Sequence, residues 1–108
     1  MRVDTLSLQQ FRNYPAQDFS FNGRCNVIYG ENAQGKTNLL EAIACLSTGR
    51  SPRARSDREM IRFEADSALL RASVSARERN FVLETRLQRG RPKKMTVNGI
   101  SVRRGAQS

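Results

Sequence analysis

The sequence predicts an α/β fold in which one strand, a glycine-bearing loop and one main helix are followed by antiparallel strands. The apolar stretch Cys25–Tyr29 runs directly into the loop Gly30–Thr37, and apolar residues then recur at helical spacing. After residue 66, apolar and polar residues alternate between turn residues, which is typical of antiparallel strands. We expect one unit over residues 1–108, with strands, loop and helix in 1–49, an Arg-rich loop and short helix in 50–66, and antiparallel strands or hairpins in 67–108.

Two strands are predicted before the glycine loop. Residues 3–8 place apolar side chains among polar ones, as in a short half-buried strand. Residues 17–21 alternate in the same way and end at the turn dipeptide Asn22-Gly23. The connection contains Phe11-Arg12-Asn13-Tyr14 followed by Pro15, which stops a helix there. The two strands are therefore expected to form a β meander.

The strand and helix on either side of the loop follow from apolar patterning. Residues 25–29 have an apolar centre with glycines on both sides, as expected for a strand buried on both faces. A helix is predicted from Gln34 to about Thr48, ended by Gly49, because apolar residues recur at i, i+4 and i+7: Leu39, Ile43, Leu46. A strand, a glycine loop and a helix in this order form the start of a mononucleotide-binding unit.

The rest of the chain is predicted to be mostly β-structure. Ser56 and Glu59 have the spacing of a capping box, which predicts a short helix over 57–62. Strands are expected over 68–76 and 81–87, with a turn at 77–80 between them. A basic turn is expected over 88–94, and Asn98-Gly99 predicts a hairpin over 95–102.

Composition excludes several classes of protein. His is absent, which excludes histidine metal sites and Ser-His or Cys-His triads. Cys25 and Cys45 are too few for a disulfide framework, and we expect both to be small core residues rather than nucleophiles. No apolar run approaches the roughly 18 residues of a membrane span, and Arg2 and Asp4 interrupt any secretory apolar segment. A cytoplasmic protein is therefore expected.

The net charge of +9 belongs to the second half of the chain. Residues 1–49 contain equal numbers of acidic and basic groups, whereas residues 50–108 contain all of the excess positive charge. This division favours a polyanionic partner for the second half. A basic surface that only keeps the protein soluble is the alternative, and charge alone does not decide between them.

The loop Gly30–Thr37 matches the phosphate-binding pattern G-x-x-x-x-G-K-[ST]. Gly30 and Gly35 let the backbone approach an anion closely, and the amide groups at the start of the helix supply partial positive charge. Lys36 supplies a cation for the β- and γ-phosphates, and Thr37 offers a hydroxyl to Mg²⁺. The remaining loop residues are candidates too, with Asn32 as a donor and Glu31 pointing outward: Glu31, Asn32, Ala33, Gln34.

Two further sets of basic residues are candidates for contacts with DNA. Five arginines fall within thirteen residues after the helix: Arg50, Arg53, Arg55, Arg58, Arg62. A second set follows in the strand region and its turns: Arg77, Arg79, Arg86, Arg89, Arg91, Lys93, Lys94. Arginine suits bidentate phosphate contacts, and such residues would bind the DNA backbone without reading its sequence. The alternative for both sets is a solvated charged surface.

Several of these segments together resemble the N-terminal part of the bacterial RecF family of recombination and repair proteins, within the SMC class of ABC-type ATPases. The segments that support the resemblance are Phe11-Arg12-Asn13-Tyr14, Val27–Ile43 with its loop GENAQGKTNLLEAI, Gly49-Arg50-Ser51, and Ser56–Arg62. The loop alone is shared by many ATPases, whereas this combination in this order is much more specific.

The resemblance implies an ATP- and DNA-binding protein of DNA repair and replication. Members of the family are expected to act at double-strand/single-strand junctions with RecO and RecR, to load RecA at gaps during the SOS response, and to dimerise on ATP. It implies that the loop residues Gly30, Asn32, Gly35, Lys36 and Thr37 hold ATP and Mg²⁺. It also implies that Arg12 and Asn13 lie near the nucleotide, although a surface Arg and a turn Asn would otherwise explain this pair.

The resemblance further implies an incomplete ATPase head. The glutamine loop, the signature motif and the acidic strand with the catalytic Glu are not found before Ser108. We therefore predict no catalytic residue here and no ATP hydrolysis by these 108 residues alone. The alternatives are another SMC-class ATPase head, a small-molecule kinase with the same loop, and a basic DNA-binding module with a vestigial loop. The kinase gives no reason for the basic second half.

Overall fold

The computed structural model describes the backbone of residues 2–21 and 33–102 and the side chains of 2–21 and 37–102. Within these residues, six strands form one antiparallel sheet in the order β2-β1-β3-β4-β5-β6. The elements are β1 (Arg2–Phe11), β2 (Tyr14–Ser20), α1 (Ala33–Thr48), a 3₁₀ turn (Asp57–Met60), β3 (Ser67–Ala76), β4 (Arg79–Gln88), β5 (Arg91–Val97) and β6 (Ile100–Val102). The predicted antiparallel meander and main helix are both present.

The core lies between α1 and one face of the sheet. Alternate residues of β1 and β3 are buried and adjacent across the strand pair, with Leu6 opposite Ala72 and Leu8 opposite Leu70. The helix contributes the opposing layer: Leu39, Ala42, Cys45, Leu46. Because side chains alternate across a strand, the other sheet face presents polar and charged residues such as Arg71.

Local signals define the end of α1 and the last hairpin. Gly49 has φ 84°, and its amide donates to the Cys45 carbonyl at 2.9 Å, which ends the helix where the sequence predicted. Asn98 and Gly99 also have positive φ, 53° and 84°, as the predicted two-residue hairpin turn requires. The Asn98 Oδ1 accepts the Val82 amide at 2.8 Å and ties this hairpin to β4.

The predicted helix over 57–62 is wrong in length and type. Only Asp57–Met60 form a 3₁₀ turn, Ser56 makes no side-chain cap, and the Glu59 carboxylate accepts the Arg55 amide at 3.2 Å instead. The turn ends because Ile61 forms an isolated bridge with Phe11, and the Arg62 amide donates to the Gln10 carbonyl at 2.7 Å. Tertiary pairing with β1 therefore replaces the next helical hydrogen bonds.

The basic turn predicted over 88–94 is also shorter than expected. The turn consists of Arg89 and Gly90, and β5 begins at Arg91, so that Pro92 and the two lysines belong to a strand. A register irregularity between Arg86 and Gln88 of β4 accompanies this early pairing. The strand predicted over 25–29 lies outside the described residues.

The described residues contain no helix long and apolar enough to cross a membrane. They also contain no group of three or more His, Cys, Asp or Glu side chains that could hold a metal ion.

Candidate functional site

The turn between β1 and β2 packs against the first half of α1. The Asn13 Oδ1 accepts a hydrogen bond from Asn38 Nδ2 at 2.8 Å, and Asn38 is buried on the helix. Behind the turn, the Arg12 amide donates to the Met60 carbonyl at 2.8 Å. Gln10 and Arg12 both have positive φ, 53° and 51°, a costly conformation for residues with a Cβ. With this backbone conformation, the Arg12 side chain lies beside α1, where it contacts Glu41.

A buried carboxylate joins three segments of the chain. Glu41 of α1 is 1% exposed and accepts both Arg12 Nε at 2.8 Å and Arg12 Nη2 at 2.7 Å. Arg53 Nη2 donates to the same carboxylate at 2.9 Å, and Ser51 Oγ donates at 2.5 Å. We call Arg12, Glu41, Ser51 and Arg53 the Glu41 cluster. It connects the β1–β2 turn, α1 and the loop that follows α1.

The Glu41 carboxylate is ionised in spite of its burial. Burial alone raises the pKa of a carboxyl group, but hydrogen bonds from Arg12, Arg53 and Ser51 lower the Glu41 pKa to about 2. The hydrogen bond to Glu41 in turn raises the pKa of the Arg12 guanidinium above its ordinary value. Because two guanidinium groups share one carboxylate, the cluster keeps one positive charge in excess.

Asn38 extends the cluster toward the start of α1. Its Oδ1 accepts a hydrogen bond from Arg53, while its Nδ2 donates to Asn13. Asn38 and Glu41 are three residues apart and therefore share one face of the helix. That face is directed toward the turn and the loop, so both partly exposed guanidinium groups are held beside the N-terminal half of α1.

A groove of about 540 Å³ opens beside this cluster. Its lining contains three arginines, two asparagines, one carboxylate and two apolar residues: Arg12, Asn13, Asn38, Arg58, Glu59, Ile61, Phe63, Arg89. Phe63 is 82% exposed at the rim. The groove therefore offers guanidinium and amide donors together with an apolar surface, a combination that suits an anionic organic ligand.

Most of the predicted phosphate loop lies at the limit of the described residues. Gly30, Glu31 and Asn32 lie outside them, whereas Ala33, Gln34, Gly35 and Lys36 form the first turn of α1, with their side chains undescribed. Thr37 is exposed on α1, one turn before Glu41. The first turn of a helix presents amide donors, so these residues have backbone groups suited to an anion.

The predicted DNA-contact residues divide into different environments. Arg53 belongs to the Glu41 cluster, and Arg89 Nε donates to the Ala65 carbonyl at 2.7 Å. Arg58 lines the groove. Arg50 and Arg55 line a separate cleft of about 350 Å³ with Lys93, whose Nζ is 3.6 Å from Asp57. Arg91 and Lys94 are exposed on β5, and Arg62 is half-buried.

Asn38, Glu41 and Ser51 were not predicted from the sequence as site residues. Glu41 lies between Leu40 and Ala42 in an amphipathic helix, where a charged residue is ordinarily assigned to solvent. The structure reverses that assignment, because Leu40 is 56% exposed and Glu41 is 1% exposed. The available signal was the i, i+3 spacing of Asn38 and Glu41 after the phosphate loop.

Cys45 lies in the core, as the sequence predicted. Its side chain is fully buried in α1, and burial raises the pKa of the thiol to about 11. A thiol that stays protonated at neutral pH is a poor nucleophile. Cys25 lies outside the described residues.

Comparisons with known proteins agree with the sequence pattern. The model of a family described as AAA domain matches residues 5–104. The chain is 38% identical to the DNA replication and repair protein RecF of Lachnospira eligens over 107 residues, which cover 99% of the chain and 30% of that protein. It is 44% identical to RecF of Symbiobacterium thermophilum, again over 107 residues, which cover 99% of the chain and 28% of that protein.

Solved structures give the same result for the fold. A structure of the recombination mediator protein RecF-ATP in the RecFOR pathway superposes with a TM-score of 0.85 at 36% identity, over 94% of this chain and 28% of that one. The SMC head domain from Thermotoga maritima superposes with a TM-score of 0.76 at 23% identity, over 99% of this chain and 41% of that one. This second similarity concerns the fold alone. The chain spans about 30% of the length of the curated relatives above. The resemblance predicted from the sequence is thus confirmed, and the chain belongs to the AAA domain family.

Proposed function

We propose that this chain binds the phosphate groups of ATP at the N-terminal half of α1, as the nucleotide-binding part of a RecF-like protein of DNA repair and replication. The observation that supports this most strongly is the Glu41 cluster. It holds two guanidinium groups, with one positive charge in excess, beside α1, whose first turn belongs to the predicted phosphate loop. The family membership and the RecF relatives support ATP as the nucleotide.

Each residue of the proposed site has a distinct role. The loop Gly30–Thr37 surrounds the phosphates with backbone amides, and Lys36 adds a mobile cation. Arg12 and Asn13 approach the same ligand from the β1–β2 turn, across the groove. The Thr37 hydroxyl is a hard oxygen ligand of the kind Mg²⁺ prefers, and Mg²⁺ bound there would neutralise charge on the phosphates.

DNA binding is the second part of the proposal and concerns the basic half of the chain. The cleft lined by Arg50, Arg55 and Lys93 contains three cations and one carboxylate, that of Asp57. The exposed residues Arg91 and Lys94 add positive charge on β5. Contacts of this kind recognise phosphates rather than bases, so binding is expected to weaken steeply with salt.

Further parts of the proposal rest on the resemblance alone. They are action with RecO and RecR, loading of RecA at gapped junctions in the SOS response, ATP-dependent dimerisation of the longer protein, and a cytoplasmic location. Absence of ATP hydrolysis by residues 1–108 is a prediction of the same kind, and Lys36-dependent turnover by this chain would contradict it.

Isothermal titration with Mg-ATP tests the nucleotide site. The wild-type chain should bind one ATP, and Lys36→Ala should bind at least tenfold more weakly, because a charge-assisted contact to the phosphates is lost. Lys94→Ala removes the same charge from exposed β5 and is the matched control. Equal weakening by both variants would mean that ATP binds only to the general positive charge, and no binding by the wild type would overturn the proposal.

Fluorescence anisotropy with a labelled gapped duplex tests the DNA site. Arg50→Ala/Arg55→Ala should weaken binding and reduce the salt dependence by about two released counterions. The control Arg2→Ala/Arg71→Ala removes the same charge from β1 and β3, at two arginines outside both predicted sets. Equal losses in the two double variants would contradict a site in the cleft.

A further inference from the structure

The Glu41 cluster poses an electrostatic problem for a site that binds polyphosphate. A carboxylate near a phosphate repels it, and Glu41 lies on α1 only one turn after Thr37. Burial of a charged group is also costly unless the charge is paired. Two guanidinium groups and one hydroxyl pair with Glu41, which offsets the cost of its burial. The repulsion between this carboxylate and a bound phosphate still needs an explanation.

The geometry of the cluster suggests such a reason. Arg12 reaches Glu41 through Nε and Nη2, a bidentate contact that fixes the plane of the guanidinium group. Arg53 lies in the loop after α1, whereas Arg12 lies in the turn before it, and Arg53 donates to Glu41 Oε1 as well as to Asn38. Two like charges can share this place only because a carboxylate lies between them.

We propose that Glu41 is a positioning residue of the nucleotide site, whose carboxylate holds Arg53 next to Arg12, which lines the groove, so that both guanidinium groups act on one phosphate ligand. The inference rests on the proposed ATP site. It adds Glu41 to that site as a residue that acts through the two arginines and does not touch the ligand.

Ser51 contributes to the same arrangement from the loop after α1. Its hydroxyl donates to Glu41 Oε2 and accepts the Arg53 and Ala54 amides at 3.1 and 2.9 Å. The loop that contains Arg53 is therefore attached to α1 by the Ser51 hydroxyl as well as by the ion pair. This attachment limits the positions that the Arg53 side chain can reach.

The substitution Glu41→Gln tests the inference by the sign of its effect on ATP affinity. If Glu41 affected ATP only by repelling its phosphates, removal of the negative charge should tighten ATP binding. If Glu41 positions the arginines, the variant should bind Mg-ATP about tenfold more weakly, because the unpaired guanidinium groups separate and a charge-assisted contact is lost. Glu84→Gln, which removes the carboxylate that Arg71 contacts at 2.7 Å on the other sheet face, is the matched control.

Isothermal titration separates positioning from a folding defect, since partial unfolding lowers the stoichiometry, whereas mispositioning lowers the affinity of the folded fraction. If Glu41→Gln does not fold, Ser51→Ala removes one hydrogen bond to the Glu41 carboxylate and the hydroxyl that holds the Arg53 loop, and it changes no charge and no group proposed to touch the ligand. This variant should also weaken Mg-ATP binding. Unchanged or tighter binding by the folded variants overturns the positioning role while leaving the ATP site intact. No ATP binding by the wild type overturns the ATP site and this inference together.

Discussion

Acid unfolding of the chain should depend on the ionised Glu41 carboxylate. The folded state lowers the Glu41 pKa from an ordinary 4.5 to about 2, because Arg12, Arg53 and Ser51 all donate to a carboxylate that is 1% exposed. At about 1.4 kcal/mol for each tenfold change in proton affinity, this difference corresponds to roughly 3 kcal/mol of stability at neutral pH. A domain of this size is stable by about 5–15 kcal/mol in total, so the contribution is a large fraction.

The sign of the pH dependence follows from the direction of the shift. A carboxyl group whose pKa is lower in the folded state stabilises the fold fully above its unfolded value, 4.5. The stabilisation is lost as the pH falls from about 4.5 toward 2, where the folded protein also takes up the proton. Glu41→Gln resembles the protonated group at every pH, so the difference between wild type and variant should be largest at pH 7.

Urea unfolding followed by circular dichroism between pH 7 and pH 2.5 measures this difference directly. Glu41→Gln should be less stable by roughly 3 kcal/mol at pH 7, and the two curves should converge as the pH approaches 2.5. Glu84→Gln breaks an exposed pair and should cost at most about 1 kcal/mol. A constant difference between wild type and Glu41→Gln across the whole pH range would contradict this prediction, because the loss would then come from packing rather than from the ionised carboxylate.

Three further predictions concern the fold. Gly99→Ala should lower the free energy of unfolding by about 1 kcal/mol in thermal melts, because φ is 84° there, and an unchanged melting temperature would count against the assigned turn. Leu70→Ala should cost about 2–5 kcal/mol, since the side chain is fully buried between the sheet and α1; a loss below 1 kcal/mol would contradict that packing. In a Cys25→Ser background, Cys45 should react with a thiol reagent only after unfolding, since it is buried with a pKa raised to about 11, and rapid reaction of the native protein would show an exposed thiol.

The elements that the sequence predicted well are those with local causes. The end of α1 depends on Gly49, and the last hairpin depends on Asn98-Gly99; both need positive φ, which a sequence signals within two residues. The core face of β3 follows from strict alternation of apolar residues. Such features require no knowledge of distant contacts.

The features that the sequence did not predict depend on residues far apart in the chain. The expected helix over 57–62 ends early because Ile61 pairs with Phe11 of β1, a contact across 50 positions of the sequence. The Glu41 cluster likewise joins Arg12 to a residue 29 positions away. Periodicity assigns a lone Glu in an amphipathic helix to solvent, and only the packing of the β1–β2 turn on α1 reverses that assignment.

ATP should bind at the N-terminal half of α1 and not merely to the basic surface. A titration of the ¹⁵N-labelled chain with Mg-ATP, followed by amide chemical shifts, tests it most directly. The largest shifts should occur in the loop Gly30–Thr37, at Arg12 and Asn13, and in the Glu41 cluster. Largest shifts at the cleft of Arg50, Arg55 and Lys93, with none in the loop, would contradict it.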